Sequence, residues 1–115
     1  MLDEKEIIEK IEQLQNTVEG IKAEEDTVSN ELKVVLVGSE LQLVILKSTL
    51  GQSEEKVKSL AEKFKARAED LNEKYAIASA ENKIAEKSQL HAMIWTNDIR
   101  LDTLKWVLEE KDEEI

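Results

Sequence analysis

The chain of 115 residues suits one domain, residues 1–115, large enough for a modest core. It contains no cysteine, which excludes disulfide bonds, thiolate metal sites and a catalytic thiol, and we expect a cytoplasmic protein. The formal net charge of −10 argues against direct binding to nucleic acid or to anionic membranes. The absence of proline and the 37% of charged residues are typical of long helices.

The first predicted helix covers residues 3–23. Asp3 is suited to cap its N-terminus, because a short acidic side chain accepts hydrogen bonds from the first free N–H groups. The apolar residues recur at spacings of four, three, four and three, which is the seam pattern of a coiled coil. They are Ile7, Ile11, Leu14, Val18 and Ile21. In the polar connection that follows, Asp26 or Thr27 is expected to cap the next helix.

The second segment, residues 28–50, permits two interpretations. Drawn as a helix, it is apolar on most sides, and an element of that kind is normally buried. Its β-branched residues and the alternation Leu41, Leu43, Ile45 favour instead a β-hairpin over residues 33–47. We favour the buried helix, in which Gly38 costs about 1 kcal/mol relative to alanine but allows a neighbouring helix to approach closely.

The clearest boundary in the chain lies at Gly51 and Ser53. Glycine suits the left-handed position after a helix, and serine followed by two glutamates suits the start of the next one.

A third helix is predicted for residues 54–88 and a fourth for residues 90–110, with a frayed tail at residues 111–115. No breaker interrupts this region, so one continuous helix is the alternative. The third helix carries an alanine-rich stripe, and the fourth a leucine-rich one. Ser88, Thr96, Asn97 and Asp98 are the candidate caps of a final helix.

Together these elements predict an all-α fold, an antiparallel helical bundle or coiled coil of three to four helices with a long third helix. The alternative is a coiled-coil hairpin with a small β-hairpin at residues 33–47.

No residue pattern indicates catalysis. His91 is the only histidine, and it lacks the glutamate three residues earlier that helical metal sites use. The basic run at residues 56–67 is interpreted as a solvated helix face, and no glycine-rich loop is present to hold a phosphate. We therefore expect no enzyme activity, no catalytic residue, no cofactor, no metal and no small-molecule substrate.

The residues most suited to a protein interface are aromatic and aliphatic. Trp95 and Trp106 lie eleven residues apart, which is three helical turns, so they point in nearly the same direction. They either fill the core or form an interface. The candidate interface residues are Trp95, Ile99, Leu101, Trp106 and Leu108 near the C-terminus, and Ile7, Ile11 and Leu14 in the first helix.

The expected function is that of a structural or interaction protein, a self-associating helical bundle that acts as an adaptor or assembly factor, most simply as a homodimer. The alternative is a small acidic inhibitor, of the kind found in phages and mobile elements, which mimics nucleic acid and binds a basic groove on a nucleic-acid enzyme. The charge of −10 motivates this alternative.

Overall fold

A computed structural model of the protein describes residues 1–24 and 29–109. These ranges contain four helices and no strand: α1 (Glu4–Lys22), α2 (Asn30–Thr49), α3 (Glu54–Ala80) and α4 (Ile84–Val107). The predicted all-α bundle is confirmed. The β-hairpin alternative for residues 33–47 is wrong, because α2 runs through that segment without a break.

The predicted caps of α1 and α3 are confirmed. The Asp3 carboxylate accepts a hydrogen bond from the Glu6 N–H at 2.9 Å, and the Ser53 hydroxyl accepts one from the Lys56 N–H at 3.3 Å. Gly51, between α2 and α3, adopts a positive φ of 74°, which a residue with a side chain rarely adopts. Local capping chemistry therefore fixes both starts.

The start of α2 is capped by Ser29, whose hydroxyl accepts a hydrogen bond from the Leu32 N–H at 3.2 Å. The caps expected at Asp26 and Thr27 lie outside the described residues.

The break between α3 and α4 lies at residues 81–83, and not near residue 89 as the sequence suggested. Asn82 has a φ of 54°, and its N–H donates to the Ser79 carbonyl oxygen at 3.3 Å. The next N–H, of Lys83, donates to the Ala78 carbonyl oxygen at 3.0 Å. This hydrogen-bond pair is a Schellman motif, which ends a helix at a left-handed residue, commonly glycine and sometimes asparagine. The four candidate caps, Ser88, Thr96, Asn97 and Asp98, lie within α4.

The helices form two antiparallel hairpins, α1–α2 and α3–α4, joined where α2 packs against α4. One core cluster takes residues from all four helices, among them Ile7, Leu46, Val57 and Leu104. A second cluster, around Leu71, belongs to the α3–α4 hairpin alone. The radius of gyration is 16.3 Å, against about 13 Å for a compact chain of this length. The two hairpins therefore share a core at one end of the molecule only.

Candidate protein-interaction surface

The second helix is buried on one side only. Its main packing partners are α1 and α4. Its buried residues are Ser39, Leu43, Ile45, Leu46 and Thr49. The expectation that α2 is buried all round is therefore wrong, because two neighbouring helices cover only part of its circumference.

The exposed side of α2 carries an apolar stripe that we call the α2 seam, made of Val34, Val37, Leu41 and Val44. Successive members are three, four and three residues apart, the spacing of a coiled-coil contact line. Val34, Val37 and Val44 are 55%, 47% and 67% exposed, and Leu41 is half-buried. The spacing is visible in the sequence, but the side of α2 that stays uncovered depends on tertiary packing.

Polar groups and neighbouring helices border the α2 seam. On one edge lie Lys33, Glu40 and Lys47, all exposed, and the Glu40 carboxylate is 3.3 Å from Lys22 Nζ on α1. On the other edge, Gly38 lies against Ile99 of α4. An apolar centre with a charged rim is the usual layout of a protein–protein contact surface.

The structure separates the eight candidate interface residues into core and surface. Five of them are buried in the shared core, where they hold the chain's own helices together: Ile7, Ile11, Leu14, Leu101 and Leu108. Ile99 is half-buried, with its Cδ1 3.7 Å from the position that a Cβ on Gly38 would occupy. Trp95 and Trp106 are 37% and 41% exposed. Only these two candidates present a large free surface.

Trp106 lines a groove of about 190 Å³ between α1, α2 and α4. Leu14 and Leu46, both buried, are also in its lining, together with Gln42 of α2. Gln42 and Leu46 point away from the α2 seam, since each lies more than about 90° around the helix from Val37. The tryptophan groove and the α2 seam are therefore separate surfaces.

The single histidine lies on the surface of α4. Its ring centroid is 6.4 Å from that of Tyr75, and Lys87 Nζ lies 5.5 Å from the same tyrosine ring. Among residues 1–24 and 29–109, no three His, Cys, Asp or Glu side chains are grouped to hold a metal ion.

Comparisons with models of protein families, with curated proteins and with solved structures find no match to this chain. None of the four helices described is both long enough and apolar enough to cross a lipid bilayer.

Proposed function

We propose that this chain is a non-enzymatic interaction protein that self-associates through the α2 seam, most simply as a homodimer, and acts as an adaptor or assembly factor. The observation that carries the proposal is the exposed line of Val34, Val37, Leu41 and Val44 on a helix whose other side is already core. A second helix that covers this line would remove its apolar surface from water, which lowers the free energy of the pair.

The length of the α2 seam suits a helix partner. From Val34 to Val44 it rises about 15 Å, close to three turns, and the whole of α2 is about 30 Å long. A partner helix laid along α2 would bury all four apolar residues at once, with the charged edge at Lys33, Glu40 and Lys47 left at the rim.

The total surface of the chain also supports association. The solvent-accessible area is 8074 Å², whereas a compact monomer of 13.1 kDa exposes about 6400 Å². The surplus of about 1700 Å² is surface that packing within the chain leaves uncovered, and the α2 seam is part of it. A second copy is the simplest partner able to cover the α2 seam, because symmetric homodimers are the commonest oligomers.

The test is the molar mass measured by light scattering after size exclusion, over a range of protein concentrations. At tens of micromolar, we expect about 26 kDa, twice the chain mass of 13.1 kDa. The double variant Val37→Glu, Val44→Glu is expected to run at the mass of one chain, because four charges would face each other across the pair.

Val35 offers a matched control. It is 47% exposed, as Val37 is, but lies about 200° around α2 from Val37 and so outside the α2 seam. We expect Val35→Glu to keep the mass of the dimer. A wild-type mass of one chain at all concentrations would refute self-association, and equal loss of the dimer in Val35→Glu and Val37→Glu would refute the α2 seam as its site.

The alternative, a nucleic-acid mimic, gains no support from the distribution of charge. The helices α2, α3 and α4 each carry equal numbers of acidic and basic residues, two and two, six and six, and three and three. The excess acid therefore lies in residues 3–26 and 109–114. Capture of a basic partner that weakens steeply between about 0.05 and 0.5 M salt would favour mimicry over an apolar contact.

A further inference from the structure

The only two arginines of the chain line the same groove. Arg67 on α3 and Arg100 on α4 border a space of about 240 Å³, together with Ala92, Met93 and Thr96. The remaining basic residues are all lysines, and none of them lines this groove. Arginine carries a planar fork of N–H donors that matches a carboxylate, which a lysine ammonium does not.

Neither guanidinium has a partner within residues 1–24 and 29–109. No ion pair or hydrogen bond joins Arg67 or Arg100 to another described side chain or to the backbone. Lys74, one heptad after Arg67 on α3, is paired instead, with its Nζ 3.0 Å from the Asp70 carboxylate. Both guanidinium groups are therefore available to an acidic ligand.

A partly buried hydrogen bond sets the register between the two helices that carry the arginines. Asn97 Nδ2 donates to the Phe64 carbonyl oxygen at 3.0 Å, which sets the level at which α3 and α4 face each other. Arg67 follows Phe64 by three residues and Arg100 follows Asn97 by three. Because the helices are antiparallel, the arginines lie on opposite sides of that level, about 9 Å apart along the helix axes. The packing of α3 against α4 therefore sets the backbone positions of the two arginines.

We propose that this groove binds the carboxylates of an acidic segment of a partner protein. Met93, which is 42% exposed and also lines the groove, offers such a segment an apolar contact. A peptide fits better than a nucleic acid, because the field of a chain with net charge −10 repels a long polyanion but tolerates a few local carboxylates. The site lies on α3 and α4 and does not depend on self-association through α2.

The test is a fluorescence anisotropy titration of the full chain into a fluorescein-labelled hexaglutamate peptide at low salt. Labelled hexaglutamine is the uncharged control peptide. We expect binding of the glutamate peptide alone, weakened about tenfold or more by Arg67→Gln, Arg100→Gln. The double variant Lys5→Gln, Lys58→Gln removes the same charge from exposed positions outside the groove and should change the affinity by less than about twofold.

Four outcomes would overturn the proposal. The first is equal binding of the two peptides, and the second is equal weakening by the lysine and arginine variants, which would indicate a general charge effect. The third is displacement of the glutamate peptide by inorganic phosphate at concentrations where acetate has no effect, which would indicate a phosphate site. Retention of most of the affinity in Arg67→Lys, Arg100→Lys would also contradict recognition by the guanidinium fork.

Discussion

The side-chain amide of Asn97 donates a hydrogen bond to the carbonyl oxygen of Phe64 at 3.0 Å, across the interface between α4 and α3. Asn97 is only 1% exposed, and its Oδ1 has no hydrogen-bond donor among the described residues. It occupies a position in the α4 contact line, between Ile94 and Leu101. One polar residue in an otherwise apolar line sets the alignment of two helices at some cost in stability.

We predict that Asn97→Asp destabilises the fold at neutral pH and that acid restores most of the loss. The introduced carboxylate would face a carbonyl oxygen in a buried site, with an expected cost of about 3 kcal/mol at pH 7. Burial raises the pKa of such a carboxyl in the folded state above its unfolded value of about 3.9. The folded state therefore favours the neutral carboxyl. The variant is most stable below the unfolded pKa of about 3.9 and loses stability as the pH rises through the higher pKa of the folded state.

Thermal unfolding at pH 7 and at pH 4 measures this effect, with the wild type as reference for the pH dependence of the other groups. Asn97→Leu is the matched control, since it removes the unpaired oxygen without adding charge, and it should show no pH dependence beyond that of the wild type. An Asn97→Asp variant that is as stable as the wild type at pH 7 would mean that the site is hydrated.

The role of Asn97 differs from the one that local sequence signals indicate. Its amide is suited to cap a helix, but its position in the sequence belongs to the contact line of α4. The residues of that line are spaced four, three, four, three and four apart: 90, 94, 97, 101, 104 and 108. The break at Asn82 was equally hard to predict, because α4 begins without a side-chain cap and the turn depends on one left-handed residue. Capping chemistry at Asp3 and Ser53 is local, and for that reason it was predicted correctly.

We predict that Gly38→Ala stabilises the protein. Gly38 lies within α2, where alanine is favoured over glycine by about 1 kcal/mol. A Cβ at this position would lie 3.7 Å from Ile99 Cδ1, which is an ordinary van der Waals distance. Urea denaturation should therefore show a gain of up to about 1 kcal/mol.

Gly20→Ala is the comparison for Gly38→Ala, since a Cβ on Gly20 would meet no atom within 4 Å. Similar gains at the two positions are expected. A loss at Gly38 alone would show that α2 and α4 need a closer approach than alanine allows.

The opposite result is predicted for Gly51→Ala. Gly51 has a φ of 74°, and the left-handed conformation costs a residue with a side chain about 1–2 kcal/mol. Its N–H also donates to the Glu4 carboxylate at 3.2 Å, so the turn contributes to holding α1 against the end of α2. We expect a loss of about 1 kcal/mol in the same urea experiment, and a neutral or stabilising effect would contradict the assigned turn.

The α2 segment shows the limit of composition as a guide to burial. The apolar content of residues 30–49 favours a buried helix; the helix is confirmed, and Leu43 and Leu46 form the one side of it that is buried. It did not reveal that Val37 and Val44 remain in solvent, because the number of helices that pack against α2 is a property of the whole fold. The candidate interface residues in the first helix, Ile7 and Ile11 among them, lie in the core shared by all four helices for the same reason.

The final prediction distinguishes the α2 seam from the tryptophan groove as the surface of self-association. Trp106 is 41% exposed and lines a groove with Gln42 and Leu46, on the side of α2 away from Val37. In the variant Trp95→Phe, Trp106 is the only tryptophan, so its quenching by acrylamide reports on that groove alone. If two chains pair through the α2 seam, the quenching constant stays the same from monomer to dimer concentrations, because the groove is open in both states. Protection of Trp106 on association would instead assign the interface to the groove, and protection that persists in Val37→Glu, Val44→Glu would do so independently of the α2 seam.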